Sequence, residues 1–177
     1  ITGPSGSGKS TLLNLIAGFE APAGGTIAIC GTDCTKTPVS GRPVSILFQE
    51  HNLFAHLTVA TKAGFGIPPR RMVSADERQR VMDALANVGL SGKENRLPHQ
   101  LSGGERQRAA FARVLLEDRP VLLLDEPFAS LGPSLRLEMM QLLTTLQKAN
   151  PRTILAVTHH PQEWRGSADS FVFVDEG

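Results

Sequence analysis

Two short, glycine-bearing segments of this chain carry the residue types that gather phosphate oxygens. The first runs Gly3, Pro4, Ser5, Gly6, Ser7, Gly8, Lys9, Ser10, Thr11 and matches G-x-x-x-x-G-K-[ST]. In that pattern glycines let backbone N–H groups converge on phosphates. Lys9 then reaches the outer phosphates, and the Ser10 hydroxyl helps to hold Mg²⁺. The second segment is Leu101-Ser102-Gly103-Gly104-Glu105, in which Ser102, Gly103 and Gly104 stand just before a helical run over residues 105–116. A helix N-terminus attracts anions. One nucleotide needs one cradle, so the second segment is expected to serve a nucleotide held by another subunit.

Acid–base chemistry is offered by Asp125 and Glu126, which follow the apolar run 121–124. A strand of a parallel sheet delivers ligands at its carboxyl end, beside a phosphate loop. Asp125 is placed to hold Mg²⁺ through water, and Glu126 to take a proton from the attacking water. An Asp-Glu pair after a strand is ordinarily a solvated turn; the phosphate loop upstream reverses that reading. Gln49 ends the apolar run 44–48, so its amide can contact Mg²⁺ or the lytic water. His159 follows the strand candidate 153–157 and Thr158, where it can bond a γ-phosphate or orient the base. His51, His56 and His99 lack metal-ligand spacing and read as loop or surface residues.

The elements that must position these groups alternate. Apolar residues Leu12, Leu13, Ile16 and Ala17 recur at helical spacing, and Gly18 can end that helix. Residues 26–30 and 44–48 read as short strands. Residues 76–88 read as an amphipathic helix with Val81, Leu85 and Val88 on one face, capped by Ser74 with Glu77 three residues on. The run 121–124 has the continuous apolar character of a strand buried on both faces. Residues 135–148 are helical in pattern, and 171–174 read as a last short strand. Strands alternating with helices predict an α/β core. The helical stretch between Gln49 and Leu101 interrupts the alternation and predicts an inserted subdomain.

Bulk composition narrows the classes. With 177 residues, 41% hydrophobic and 20% charged, the chain suits one globular domain rather than a disordered segment. A net charge of +1 gives no broad electrostatic case for nucleic acid or an anionic membrane surface. No apolar run approaches the ~20 residues of a spanning helix, so a membrane role is expected to be peripheral. Cys30 and Cys34, at C-x3-C without a second pair, make a poor zinc site and read as reduced thiols. The chain opens on the phosphate loop with only Ile1 and Thr2 to supply the strand before it, the pattern of a fragment lacking upstream strands.

In this order the phosphate loop, Gln49, Leu101-Ser102-Gly103-Gly104-Glu105, Asp125-Glu126 and His159 resemble the motifs of the ABC transporter ATPases, over residues 1–177. The stretch 42–59, which includes Leu47-Phe48-Gln49-Glu50-His51-Asn52-Leu53-Phe54, is similar to the ATPase subunits of the bacterial thiamine importers within that family. The resemblance implies an α/β phosphate-loop NTPase core with a mostly parallel sheet and an inserted helical subdomain at about 50–117. It implies ATP and Mg²⁺, the ion held by Ser10, Gln49 and Asp125, with Glu126, Gln49 and His159 catalytic. It further implies a head-to-tail homodimer, a transmembrane permease docked near residues 49–59, and indirectly a periplasmic solute-binding protein. Such a subunit binds no nucleic acid and sits peripherally on the cytoplasmic face of the bacterial inner membrane. An inorganic anion, ferric iron or a polyamine are alternative cargoes.

Three departures from the family pattern stand out. Glu105 replaces the usual Gln. Gly132 stands where the family has an Asp that couples the two nucleotide sites. The strand with the adenine-stacking aromatic, which the resemblance implies, is expected upstream of Ile1. Other readings are a DNA-maintenance ATPase, a small-molecule kinase, and a cassette that binds nucleotide only as a switch. The first needs coiled coils or insertions for which there is no room, the second leaves residues 101–105 without a task, and intact Lys9, Asp125 and Glu126 oppose the third.

Overall fold

A computed structural model describes residues 1–48, 56–67 and 74–175, which group into two units. The first comprises Ile1–Ile46, Arg119–Pro127 and Pro151–Gly177, the second Leu47–Asp118 and Phe128–Asn150.

The first unit is built around a helix lying on a small sheet. Helix α1 (Lys9–Ala17) is followed by β1 (Ala28–Ile29), β2 (Thr32–Asp33), β3 (Val44–Leu47), β4 (Val121–Asp125) and β5 (Thr153–Val157). The main sheet has the order β3-β4-β5, and β4 and β5 are parallel, in register from Val121 opposite Thr153 to Asp125 opposite Val157. Every residue of β4 is buried, as its unbroken apolar run predicts. Leu13 and Ala17 of α1 pack with Val121, Leu123 and Val157, and with Ile29 and Cys34. Burying a side chain such as Leu13 or Leu123 contributes about 1.5–3 kcal/mol. Cys34 is therefore a core residue; Cys30 is exposed and both thiols are free.

Residues 1 and 2 act as a further short strand. The Ile1 nitrogen donates to Ala156 O at 2.7 Å and Thr158 N donates to Ile1 O at 3.0 Å. On the other side Thr2 N donates to Val172 O and Val174 N to Thr2 O, a parallel bridge between Thr2 and Phe173. The strand expected over 171–174 is reduced to this single bridge. The strand expected over 26–30 is the first arm of a two-residue-deep antiparallel hairpin, β1 with β2. Cys30 and Gly31 form its turn, both with positive φ (50° and 78°), the pairing that a tight hairpin requires. Arg42 holds the far end of α1: Nη1 donates to Leu15 O at 2.6 Å and Ile16 O at 2.8 Å. A cation there satisfies orphan carbonyls and opposes the helix dipole.

The second unit is helical: α2 (Val59–Gly64), α3 (Ala75–Asn87), α4 (Gly103–Leu116) and α5 (Pro133–Ala149). Helices α2, α3 and α4 pack on one another. Ser74 and Glu77 form the expected capping box: Glu77 N donates to Ser74 Oγ at 3.1 Å, and Ser74 N to Glu77 Oε2 at 2.8 Å. Phe111, from the middle of α4, meets Phe128 edge to face at 5.8 Å between ring centroids. Helix α5 starts two residues earlier than its apolar pattern, because Pro133 is favourable in a first turn.

Candidate active site

The short strand of residues 1 and 2 leads directly into the phosphate loop at the carboxyl end of β5. Gly3 admits no side chain, since a Cβ there would stand 1.9 Å from Val174 O. The loop then turns through Gly6 and Gly8, both with positive φ, and Ser7 N closes back onto Pro4 O at 3.3 Å. Gly8, at φ 90°, is the N-cap of α1; no side chain caps the helix and no acid occupies its first turn. A helix leaves its first N–H groups without internal partners. Pro4, Ser5, Gly6, Ser10 and Thr11 are exposed around that end.

Lys9 is only 6% exposed. Its Nζ donates to Gly3 O at 3.1 Å, to Pro4 O, and to Ser7 Oγ at 3.4 Å, folding the ammonium into the loop. The donor set is thus backbone amides, hydroxyls and one ammonium, with no carboxylate among them. That chemistry fits a phosphate.

The end of β4 supplies the carboxylates. Asp125 is buried, and its Oδ1 has no hydrogen-bond partner. A buried carboxylate oxygen without a donor is costly, and a cation relieves it, so this position fits Mg²⁺. Glu126 adopts φ 48°, a left-handed conformation that costs a non-glycine residue roughly 1–2 kcal/mol. Its N–H donates to Val157 O at 3.2 Å, tying the turn to β5. Glu126 Oε1 lies 3.5 Å from Nε2 of His159, whose side chain is half exposed. Burial pushes the Glu126 carboxyl above the ordinary carboxylate range, and the neighbouring His159 partly offsets that rise. A buried carboxylate with raised proton affinity suits a proton acceptor. Gln49, the remaining expected catalytic and metal-binding residue, lies outside the described residues.

The second cradle is built differently. Ser102 is the N-cap of α4, which begins at Gly103, two residues before the run expected from the sequence. Ser102 N donates to Glu105 Oε2 at 2.7 Å, and Glu105 N donates to Ser102 Oγ at 3.2 Å. This is a second capping box. Its S-x-x-E spacing was the signal available for it, as it was at Ser74. Gly104 lies against Leu131: a Cβ there would stand 3.0 Å from Leu131 Cδ2. Lys93 Nζ bonds the other oxygen of Glu105. That ammonium, with the Ser102 N–H, holds the Glu105 carboxyl down at about 2. Lys93 is a residue that sequence reasoning did not single out.

Gly132 is the N-cap of α5, at φ −66° and ψ 160°. That conformation is open to any residue, and a Cβ there would meet nothing within 4 Å. Among the described residues no cluster of three or more His, Cys, Asp or Glu could hold a metal ion by itself. No helix among them is long and apolar enough to cross a membrane.

Residues 1–129 match the family described as ABC transporter. The chain belongs to the ABC transporter family. The thiamine import ATP-binding protein ThiQ of Rhizobium meliloti (strain 1021) is 56% identical over 177 residues, all of this chain and 74% of that protein. The protein of the same name from Salmonella typhimurium is 50% identical over 178 residues, covering all of this chain and 75% of its own length. A dimeric post-hydrolysis state of the ATP-binding cassette MJ0796, bound to ADP and Pi, superposes with a TM-score of 0.90 at 31% identity. The match covers 99% of this chain and 80% of that one. As an ABC family member the chain is a nucleotide-binding α/β cassette, and the expectations for fold and family hold.

Proposed function

We propose that this chain is the ATP-hydrolysing subunit of a bacterial thiamine importer, coupling hydrolysis to a transmembrane permease. The observation that carries the chemistry is the end of β4: Asp125 with a buried oxygen lacking a donor, beside Glu126, itself buried and 3.5 Å from His159. Thiamine as the cargo is supported by the names of the relatives that match the whole chain.

In this reading ATP lies with its phosphates on Gly3, Pro4, Ser5, Gly6, Ser7, Gly8, Lys9, Ser10 and Thr11. Ser10 and Asp125, with Gln49, would hold Mg²⁺, which when bound neutralises charge on the phosphates. Glu126 accepts the proton of the attacking water, and His159 keeps the Glu126 carboxylate oriented. Ser102, Gly103 and Gly104 contact the nucleotide of a second copy in a head-to-tail dimer; dimeric cassettes among the similar structures support that arrangement. The permease docks near residues 49–59, which keeps the subunit peripheral at the cytoplasmic face of the inner membrane. A periplasmic solute-binding protein delivers the cargo from the other side.

The test is Glu126→Gln. Gln keeps the shape but cannot accept the proton, so steady-state ATP hydrolysis should fall by ~10²–10⁴. ATP binding, measured by equilibrium titration, should stay close to that of the unaltered protein. Near-normal turnover would remove Glu126 from the role of base.

A further inference from the structure

Helix α4 presents an electrostatic contradiction. Its N-terminus is the proposed contact for the phosphates of a second copy, yet this chain puts a carboxylate in its first turn. Glu105 is ionised at neutral pH, its carboxyl held at about 2. A fixed negative charge within one turn of an anion site works against anion binding.

The structure holds the remedy. The turn after α3 is fixed by its own backbone: Lys93 N donates to Leu90 O at 3.1 Å, and Arg96 N to Lys93 O at 3.0 Å. Gly92 N is held by Glu94 Oε1 at 2.7 Å. This turn delivers the Lys93 ammonium to Glu105 Oε1, the oxygen that the capping box leaves over. The paired side chains are 28% and 15% exposed, so solvent screens them less than a fully exposed pair. Arg106, the cation within the first turn, is held by the backbone beside the cradle: its Nη1 donates to Leu101 O at 2.8 Å, and a Cβ at Gly103 would stand 3.9 Å from its Nη2, while Glu105 itself is met by Lys93. The box uses the Ser102 and Glu105 N–H groups. Gly103 N–H, Gly104 N–H and the Ser102 hydroxyl hydrogen are left for an incoming ligand.

We infer that Lys93 is a positioning residue of this second cradle: it cancels the Glu105 charge and locks that carboxylate into the box, so that Ser102, Gly103 and Gly104 can receive the γ-phosphate of the opposite copy. The inference rests on the shared-site dimer proposed above. In effect Lys93 and Glu105 together do the work of one neutral residue at the position where the family usually has Gln.

The test measures ATP-driven dimerisation of the full chain by sedimentation. Glu126→Gln is present throughout, with ATP and Mg²⁺ as the probe. Lys93→Met should raise the ATP concentration for half-maximal dimer roughly five-fold, the scale of an uncompensated charge at a helix end. Adding Glu105→Gln to Lys93→Met should restore it, because Gln still closes the capping box without charge. Glu105→Gln alone should dimerise at the same ATP concentration or a lower one. Lys93→Arg should behave as the unsubstituted residue, and ATP binding to the separate copies should be the same in every variant. An unchanged dimer in Lys93→Met, a double variant no better than the single one, or a weakened dimer in Glu105→Gln would each overturn the inference. A parent protein that forms no dimer with ATP would overturn the shared-site reading, and this inference with it.

Discussion

The N-termini of α1 and α4 meet the same problem, N–H groups left without helix partners, in opposite ways. Helix α1 starts at Gly8 in a left-handed conformation, with no capping side chain and no acid in its first turn. Helix α4 starts at Ser102, whose own N–H and that of Glu105 are already satisfied by a reciprocal box. On the proposed function, the first end is a cradle that phosphates complete; in the structure Lys9 is folded onto the loop carbonyls. At the second, the reciprocal box already takes the Ser102 and Glu105 N–H groups, and the N–H groups of Gly103 and Gly104 are left over. On the same proposed function, this difference gives α1 the affinity for nucleotide and α4 the recognition of a nucleotide already bound by another copy.

The strongest way to break that division is to damage each end alone. Lys9→Ala removes an ammonium that bonds Gly3 O and Pro4 O as well as the proposed phosphates. ATP binding to a single copy should weaken by roughly 10–100-fold, the scale of a charge-assisted hydrogen bond. Ser102→Arg should leave single-copy binding intact and abolish ATP-driven dimerisation, because the larger side chain fills the place of the opposite γ-phosphate. Mixing the two variants forms a dimer with one doubly damaged site and one intact site, so partial hydrolysis should reappear. Equal loss of single-copy ATP binding in both variants would mean that the two ends do the same job.

How far this contrast could be read in the sequence differs between the two ends. The phosphate loop is local: its glycines, Lys9 and Ser10 lie in one short segment, and the geometry of each follows from the motif. The box at Ser102 was also local, through S-x-x-E, but two glycines of poor helix propensity mask the true start of α4. The Lys93–Glu105 pair joins residues twelve apart across the end of one helix and the start of another, a relation no periodicity encodes. The buried strand β4 was legible because burial on both faces leaves an unbroken apolar run. The β1–β2 hairpin was only half legible, since strands of two residues cannot show alternation; its signal was the turn at Cys30-Gly31.

A pH titration sharpens the α4 side. The Glu105 carboxyl is lowered from 4.5 to about 2 in the folded protein by Lys93 and the Ser102 N–H. A depressed carboxyl pKa adds stability that is fully present above the unfolded value and is lost as pH falls through the folded one. The unaltered protein should thus lose stability to urea more steeply between pH 4.5 and 2 than Glu105→Gln does. The difference should be on the order of 1 kcal/mol, the scale of a helix N-cap. Parallel curves for the two proteins would show that the box and its ion pair contribute nothing measurable.

A third helix start, at Gly132, gives the smallest and most discriminating effect. Its φ of −66° needs no glycine, and a Cβ there meets open space, so Gly132→Asp introduces no strain. Asp is among the best N-caps, and glycine is worse by only a few tenths of a kcal/mol. Helix α5 has no side-chain cap and no acid in its first turn, so the new carboxylate would also face the positive end of its dipole. The isolated chain should therefore gain about 0.3–1 kcal/mol, read as a higher urea midpoint with an unchanged slope. If Gly132 is a weakened coupling position, the same substitution should raise ATP turnover and its cooperativity at equal dimer concentration, with little change in ATP affinity. A gain in stability with unchanged or slower turnover would mean that the residue caps α5 and does not couple the two nucleotide sites.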